Sequence, residues 1–234
     1  MKRDSFINSV FQGLIVSCQA LENEPLFGAE IMGKMALAAK EGGARAIRAN
    51  TVVDIMEIKK VTGLPVVGLI KRDYPDSEIY ITPTLREVKE LVETKCEVIA
   101  LDATNRSRPN GESLKTLVQY IHENSDALVM GDIATEEDAY YAVECGVDMV
   151  STTLSGYTAD SPKMEGPDFA LVEKLVQTVK VPVIAEGRIT TPEQAAKMIR
   201  LGAHAVVVGG AITRPQLITK RFTEHLNQVT DVER

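Results

Sequence analysis

A broad basic surface is missing from this chain: 26 Lys and Arg stand against 33 Asp and Glu, for a net charge of −7 and a pI near 5.1. Nucleic acid and anionic membrane surfaces both select for clustered positive charge, so neither is an expected partner and a small molecule is. Long apolar runs are missing too. The stretch from Phe11 to Cys18 is broken by Gln12 and Gly13, too little for a signal peptide or a membrane span, and the expected location is the cytoplasm. Cysteine is scarce: Cys18, Cys96 and Cys145 are odd in number, lack CxxC spacing and sit among apolar residues. That pattern argues against disulfides and zinc and for buried free thiols. No GxGxxG follows the first apolar strand, which removes the usual signature of a dinucleotide-binding open sheet.

What is present is an alternation of short β-rich runs with longer stretches of helical period, the pattern of βα units around a parallel sheet. Eight strands are expected, at 14–17, 46–48, 66–70, 98–101, 128–130, 149–151, 183–185 and 205–208. Helices are expected to start near Ala29, Val52, Leu85, Ser113, Glu136, Asp168, Pro192 and Gln216, several behind N-cap residues such as Thr135 and Thr191. Eight units close on themselves where six would leave an open sheet. The expected fold is therefore α/β, a single (β/α)8 TIM barrel spanning residues 1–234 as one catalytic domain. A helix ending on glycine feeds the next strand three times, at Gly43, Gly146 and Gly202, which is ordinary αβ grammar with a left-handed cap. The longest irregular connections, around 73–82, 105–112 and 156–167, all follow strands and so belong to the face where barrels do chemistry.

Two strands end on ionisable residues at that face: Val66-Val67-Gly68-Leu69-Ile70-Lys71 and Pro182-Val183-Ile184-Ala185-Glu186. A lysine in an apolar barrel mouth loses its proton more readily than in water and serves as a base or an amine nucleophile, with a carboxyl opposite to carry the matching proton. That pair suits proton abstraction beside a carbonyl; a structural ion pair at the rim is the plainer alternative. After the last two strands come Gly187-Arg188 and Gly209-Gly210, with Arg214 at the entrance to the final helix. Loops after strands 7 and 8 of such barrels offer backbone N–H groups to phosphate, glycine allows close approach, and arginine adds a forked donor pair. A phosphorylated substrate is expected there, with a tight turn and solvated arginines as the plainer reading.

Several segments resemble one family. They are Gly13-Leu14-Ile15-Val16-Ser17-Cys18-Gln19-Ala20, Arg45-Ala46-Ile47-Arg48-Ala49-Asn50, Gly68-Leu69-Ile70-Lys71-Arg72-Asp73-Tyr74, Met130-Gly131-Asp132-Ile133, Ser151-Thr152-Thr153-Leu154-Ser155-Gly156-Tyr157-Thr158, Ala185-Glu186-Gly187-Arg188 and Val208-Gly209-Gly210-Ala211-Ile212-Thr213-Arg214-Pro215. Running nearly end to end, they resemble N-acetylmannosamine-6-phosphate 2-epimerases. The Lys-Arg-Asp-Tyr ending and the Thr-Thr-Leu-Ser-Gly-Tyr-Thr loop are the most specific matches. The resemblance implies interconversion of N-acetylmannosamine 6-phosphate and N-acetylglucosamine 6-phosphate, a step in sialic acid and amino-sugar catabolism, with no cofactor and no metal. It further implies Lys71 as the catalytic lysine, Glu186 as the partnering acid, and Gln19, Arg48 and Asp132 as sugar contacts. Arg48 is also placed to steady a developing oxyanion, although strand-end arginines equally form rim ion pairs.

Other titratable groups are given no chemistry. His204 lies at the stability end of the eighth strand, and His122 and His225 ride in helical patterns without a second ligand or base partner. Asp102 either lines the pocket or caps its own loop. The acidic run Glu136-Glu137-Asp138 is expected to be a solvated first helical turn that complements the dipole. Two rival activities share the scaffold, a Schiff-base lyase or aldolase acting through Lys71 and a sugar-phosphate sensor that binds without turnover. A homodimer is the expected assembly, because twofold pairs dominate soluble oligomers.

Overall fold

In the computed structural model, which describes residues 2–232 and the side chains of 5–228, eight parallel strands close into a barrel. They are β1 (Leu14–Cys18), β2 (Ala46–Asn50), β3 (Val66–Leu69), β4 (Val98–Asp102), β5 (Leu128–Asp132), β6 (Met149–Ser151), β7 (Val183–Ala185) and β8 (Ala205–Val208). Each pairs with its neighbours in sequence, and β8 returns to β1 with Val207 beside Ile15. Among the described residues ten α-helices accompany them: α1 (Lys2–Val10), α2 (Ala29–Glu41), α3 (Val52–Thr62), α4 (Leu85–Thr94), α5 (Leu114–Asn124), α6 (Glu136–Glu144), α7 (Phe169–Thr178), α8 (Pro192–Arg200), α9 (Gly210–Thr213) and α10 (Pro215–Val232).

The strands are apolar on both faces because both are covered, as parallel sheets require. One set of side chains, including Ile15, Ala46, Val67, Leu128, Ile184 and Val207, forms a cluster inside the barrel. The alternate set, including Val16, Ile47, Ile99, Val129, Val150 and Val206, packs under the helices. Strand side chains alternate with a period of two, so the inward phase of Val67 and Leu69 carries on to residue 71 and that of Ile184 to residue 186. Lys71 and Glu186 therefore belong to the inward set at the mouth.

Helix boundaries follow local chemistry. Thr84 with Glu87, Thr135 with Asp138 and Thr191 with Gln194 each form a reciprocal capping box that satisfies first-turn N–H groups. Three helices end on the same turn: Gly43, Gly146 and Gly202 have φ of 94°, 95° and 99°, and the residue after each donates back across the turn to Ala39, Ala142 and Met198. Positive φ at those sites favours glycine, and the strand starts within three residues.

The structure adds three things. Helix α1 closes the N-terminal end of the barrel, where Phe6 and Val10 are buried in the interior cluster, Gln12 donates its N–H to His204 O at 2.6 Å, and His204 Nε2 meets Ile7 O at 2.8 Å. The short helix α9 precedes the expected last helix. The carboxylate of Asp138 is not solvated: it is buried and accepts N–H bonds from Asn105, Ala134 and Thr135, fastening the loop after β4 to the start of α6. Its neighbours Glu136 and Glu137 lie in the same first turn, as expected. Helix α10 packs on α9 and leaves Phe222 (70%) and Leu226 (64%) exposed. Among the described residues no helix is long and apolar enough to cross a membrane.

Candidate active site

The C-terminal strand ends surround a cavity of about 570 Å³, within the range of small-molecule sites. Gln19, Arg48, Lys71, Glu186, Gly187 after β7, Gly209 and Gly210 after β8, Arg188 and Arg214 all line it. Asp132 does not; it lies beneath the floor, fully buried.

Lys71 is held from its backbone. Its N–H donates to the Asn50 side chain at 2.9 Å, and it forms an isolated antiparallel bridge with Ile81. The residues after it explain the Lys-Arg-Asp-Tyr motif: Arg72 pairs with Glu87 and Glu90, and Tyr74 donates its hydroxyl to Glu87 at 3.0 Å. Those bonds tie the loop to the first turn of α4 and leave Lys71 to face the cavity. Among the described residues its amine has no hydrogen-bond or ion-pair partner. Burial lowers its pKa to about 8, with Arg48 and Arg214 adding to the effect against the weaker pull of Glu186 and Glu24.

Glu186 is pinned from the turn after β6. Thr152 Oγ1 donates to the Glu186 carbonyl at 2.9 Å and accepts the Glu186 N–H at 3.1 Å. The Glu186 carboxylate meets Thr153 Oγ1 at 2.9 Å and Arg48 Nη1 at 3.5 Å. Arg48, 1% exposed, reaches Asp132 with both terminal nitrogens, at 2.5 and 3.2 Å. Burial pushes the Asp132 carboxyl up while Arg48 opposes it. Leaving either member of that pair alone in the interior would be costly. Gln19 donates to Ser17 Oγ at 2.9 Å, and its Oε1 is buried without a partner, an acceptor in need of a donor.

The glycine loops line the cavity while their arginines are engaged. Gly187 and Arg188 both take positive φ, at 109° and 53°. Arg188 donates to Ser155 O at 2.5 Å and Gly166 O at 2.8 Å and stacks 5.1 Å from the Tyr157 ring, so it ties down the loop after β6. Arg214 makes a two-pronged pair with Glu24 at 2.8 and 2.9 Å. A side chain at Gly209 would press on Ser17 at 3.3 Å.

Residues outside the expected set also contribute. Thr153, Tyr80 and Ser17 line the cavity, and Asn50 orients Lys71. Ser17, Asn50 and Thr153 lay within segments already singled out, and Tyr80 did not; the role of Thr153 depends on side chains from β5 and the end of β7 that no local pattern announces. Asp102 caps its own loop, accepting from Thr104 N–H at 3.0 Å and pairing with Arg106 at 2.7 Å. His122 pairs with Asp148 at 2.8 Å, away from the mouth. Among the described residues no three His, Cys, Asp or Glu side chains gather as metal ligands, and all three cysteines are free. An unpaired amine able to shed its proton near neutral pH, beside a carboxyl and a buried guanidinium, is equipped to move a proton next to a carbonyl and steady the resulting charge.

Comparison with known proteins agrees with that chemistry. Residues 32–228 match the family described as "Putative N-acetylmannosamine-6-phosphate epimerase". The "Putative N-acetylmannosamine-6-phosphate 2-epimerase" of Clostridioides difficile (strain 630) is 63% identical over 211 residues, covering 90% of this chain and 94% of that protein. Its namesake in Clostridium perfringens (strain SM101 / Type A) is 62% identical over 213 residues, covering 91% and 96%. A solved structure of the N-acetylmannosamine-6-phosphate 2-epimerase from Clostridium perfringens superposes with a TM-score of 0.92 at 60% identity, covering 93% of this chain and 95% of the other.

Proposed function

Because the chain belongs to the N-acetylmannosamine-6-phosphate epimerase family, we propose that it interconverts N-acetylmannosamine 6-phosphate and N-acetylglucosamine 6-phosphate, a cofactor-independent isomerisation in amino-sugar catabolism. One observation carries this reading: the unpaired Lys71 amine, held near a pKa of about 8, opens into the same cavity as Glu186. A base whose pKa lies near the working pH is the efficient one for removing a carbon-bound proton.

In this mechanism the sugar opens to its aldehyde, which acidifies the hydrogen on the second carbon. Lys71 removes that hydrogen to leave a planar enolate, and proton return on the opposite face inverts the centre. Glu186, facing the ligand from β7, is the partnering acid. Arg48 stabilises the developing oxyanion from the cavity floor, with the Asp132 carboxyl group fixing its guanidinium plane. The unpartnered Gln19 Oε1 takes a sugar hydroxyl. The phosphate sits on backbone N–H groups of Gly187, Arg188, Gly209 and Gly210. Because the two arginines already have protein partners, Arg188 shapes that seat through the loop after β6 and Arg214 gives long-range positive charge.

The whole of residues 1–234 acts as one catalytic domain, working in the cytoplasm as a homodimer; the exposed apolar side chains of α10 support pairing. Incubating the purified protein with N-acetylmannosamine 6-phosphate and following the anomeric signals by NMR tests the function. Both isomers should accumulate to one equilibrium ratio from either side. Binding without interconversion would identify a sensor instead. A sodium borohydride adduct on Lys71 would identify a Schiff-base enzyme.

A further inference from the structure

Thr153 carries a contact pattern that one hydroxyl cannot satisfy alone. Its Oγ1 lies 2.8 Å from Asp132 Oδ1, 2.9 Å from Glu186 Oε2 and 2.9 Å from Ser151 Oγ. A hydroxyl holds one proton and can donate along one of those lines only. Ser151 supplies a second proton, to Thr153 or to Glu186 at 3.4 Å. If both carboxyls were ionised, one close oxygen–oxygen contact would have no proton in it, and two negative charges would share the single guanidinium of Arg48.

We propose that Thr153 is a positioning residue that holds one proton in common between Asp132 and Glu186 and passes it between them. The proposal rests on the epimerase reading above and deepens it by stating where the acid proton of Glu186 is stored. In the step, Asp132 as the acid gives its proton to Thr153 Oγ1 while Thr153 gives its own hydroxyl proton to Glu186 Oε2. Two O–H bonds break and two form, and the negative charge moves from Glu186 to Asp132 beside Arg48. The reverse step resets the site. Among the described residues, the charged and titratable groups facing the array are Arg48 from β2, Lys71 from the end of β3, Tyr80 from the loop after it, and Asp102, in register beside Asp132 at the end of β4. Arg214 and Glu24 act on the array through Lys71. Burial of Asp132 favours its acid form, which suits a proton reservoir sealed from water. Two carboxyls coupled this closely titrate as a pair.

Infrared spectroscopy on the unliganded protein at neutral pH tests the shared proton directly. Difference spectra of the wild type against Asp132→Asn and against Glu186→Gln should each show loss of the same protonated-carboxyl band, because removing either partner lets the survivor ionise. Thr153→Val should shift that band, and Thr153→Ser should restore it. In turnover, Thr153→Val should lower kcat on the order of tenfold or more with little change in KM and move the acidic limb of the pH profile; Thr153→Ser should retain both. Absence of the band from both difference spectra, or its loss in only one, would overturn the proposal whether or not the protein is an epimerase. An unchanged pH profile in folded Thr153→Val would overturn the transfer role. Failure of the epimerase reading itself would show separately, as absent turnover with the carboxyl band intact.

Discussion

The two ends of the barrel are built from the same eight strands and do opposite work. At the N-terminal end, α1 lays Phe6 and Val10 against the interior cluster, and backbone bonds to His204 seal the closure. At the C-terminal end, the same inward phase changes to Arg48, Asn50, Asp132, Ser151 and Glu186 within a residue or two. One end is filled, so substitutions there act through packing. The other keeps a cavity and crowds buried charges around it, so substitutions there act through electrostatics and chemistry. The contrast teaches that reactivity here is a property of strand ends, placed by the period of two and held by neighbours from adjacent strands.

The sharpest way to break the contrast is Lys71→Ala, which should reduce kcat/KM by at least roughly a thousandfold while leaving the melting temperature equal to or above that of the wild type. Next is Arg48→Met, which strands the buried Asp132 carboxyl. It should cost about 3–5 kcal/mol of stability, read by urea unfolding, in addition to lost activity. At the filled end Phe6→Ala should also cost about 3–5 kcal/mol, yet kcat measured on the folded fraction should stay within about twofold of wild type. A large kcat loss there would erase the division between the ends.

Smaller effects come from pH. If the neutral Lys71 amine is the base, kcat/KM should rise with pH and level off above about 8. Stability should carry the same group's mark with a defined sign. The folded pKa lies below the ordinary 10.5, so between about 8 and 10.5 the unfolded chain binds more protons and stability increases with pH. Comparing Lys71→Met with wild type across that window isolates the contribution. The variant should lack the rise, and a parallel rise in both would assign it elsewhere.

Most of the architecture was legible before the structure. All eight strands fall at the expected places, extended by one or two residues at β1, β2, β4 and β5 and shorter by one at β3, because short apolar runs alternating with stretches of helical period have few alternatives. Helix α1 escaped notice since only Phe6, Ile7 and Val10 in it are apolar, a stripe too sparse to stand out until the barrel end it covers is known. The strand-end positions of Lys71 and Glu186 were readable from phase alone. What the side chains touch was not. Arg188, Arg214 and Asp132 carry the right charge for ligand contacts, but their donors and acceptors are taken up by Ser155, Glu24 and Arg48. Such pairings join residues 33 to 190 positions apart in sequence, which no local periodicity records. Thr153 shows the same limit from the other side: its neighbours come from β5 and the end of β7, and they give an ordinary hydroxyl its role.

Turnover in deuterated water bears most directly on the claim that Lys71 removes and the site returns a proton at one carbon of a bound sugar phosphate. Wild-type protein supplied with N-acetylmannosamine 6-phosphate should place deuterium at the second carbon of N-acetylglucosamine 6-phosphate, and Lys71→Ala should place none. Epimerised product that keeps its original hydrogen, or undiminished deuterium incorporation by Lys71→Ala, would contradict it.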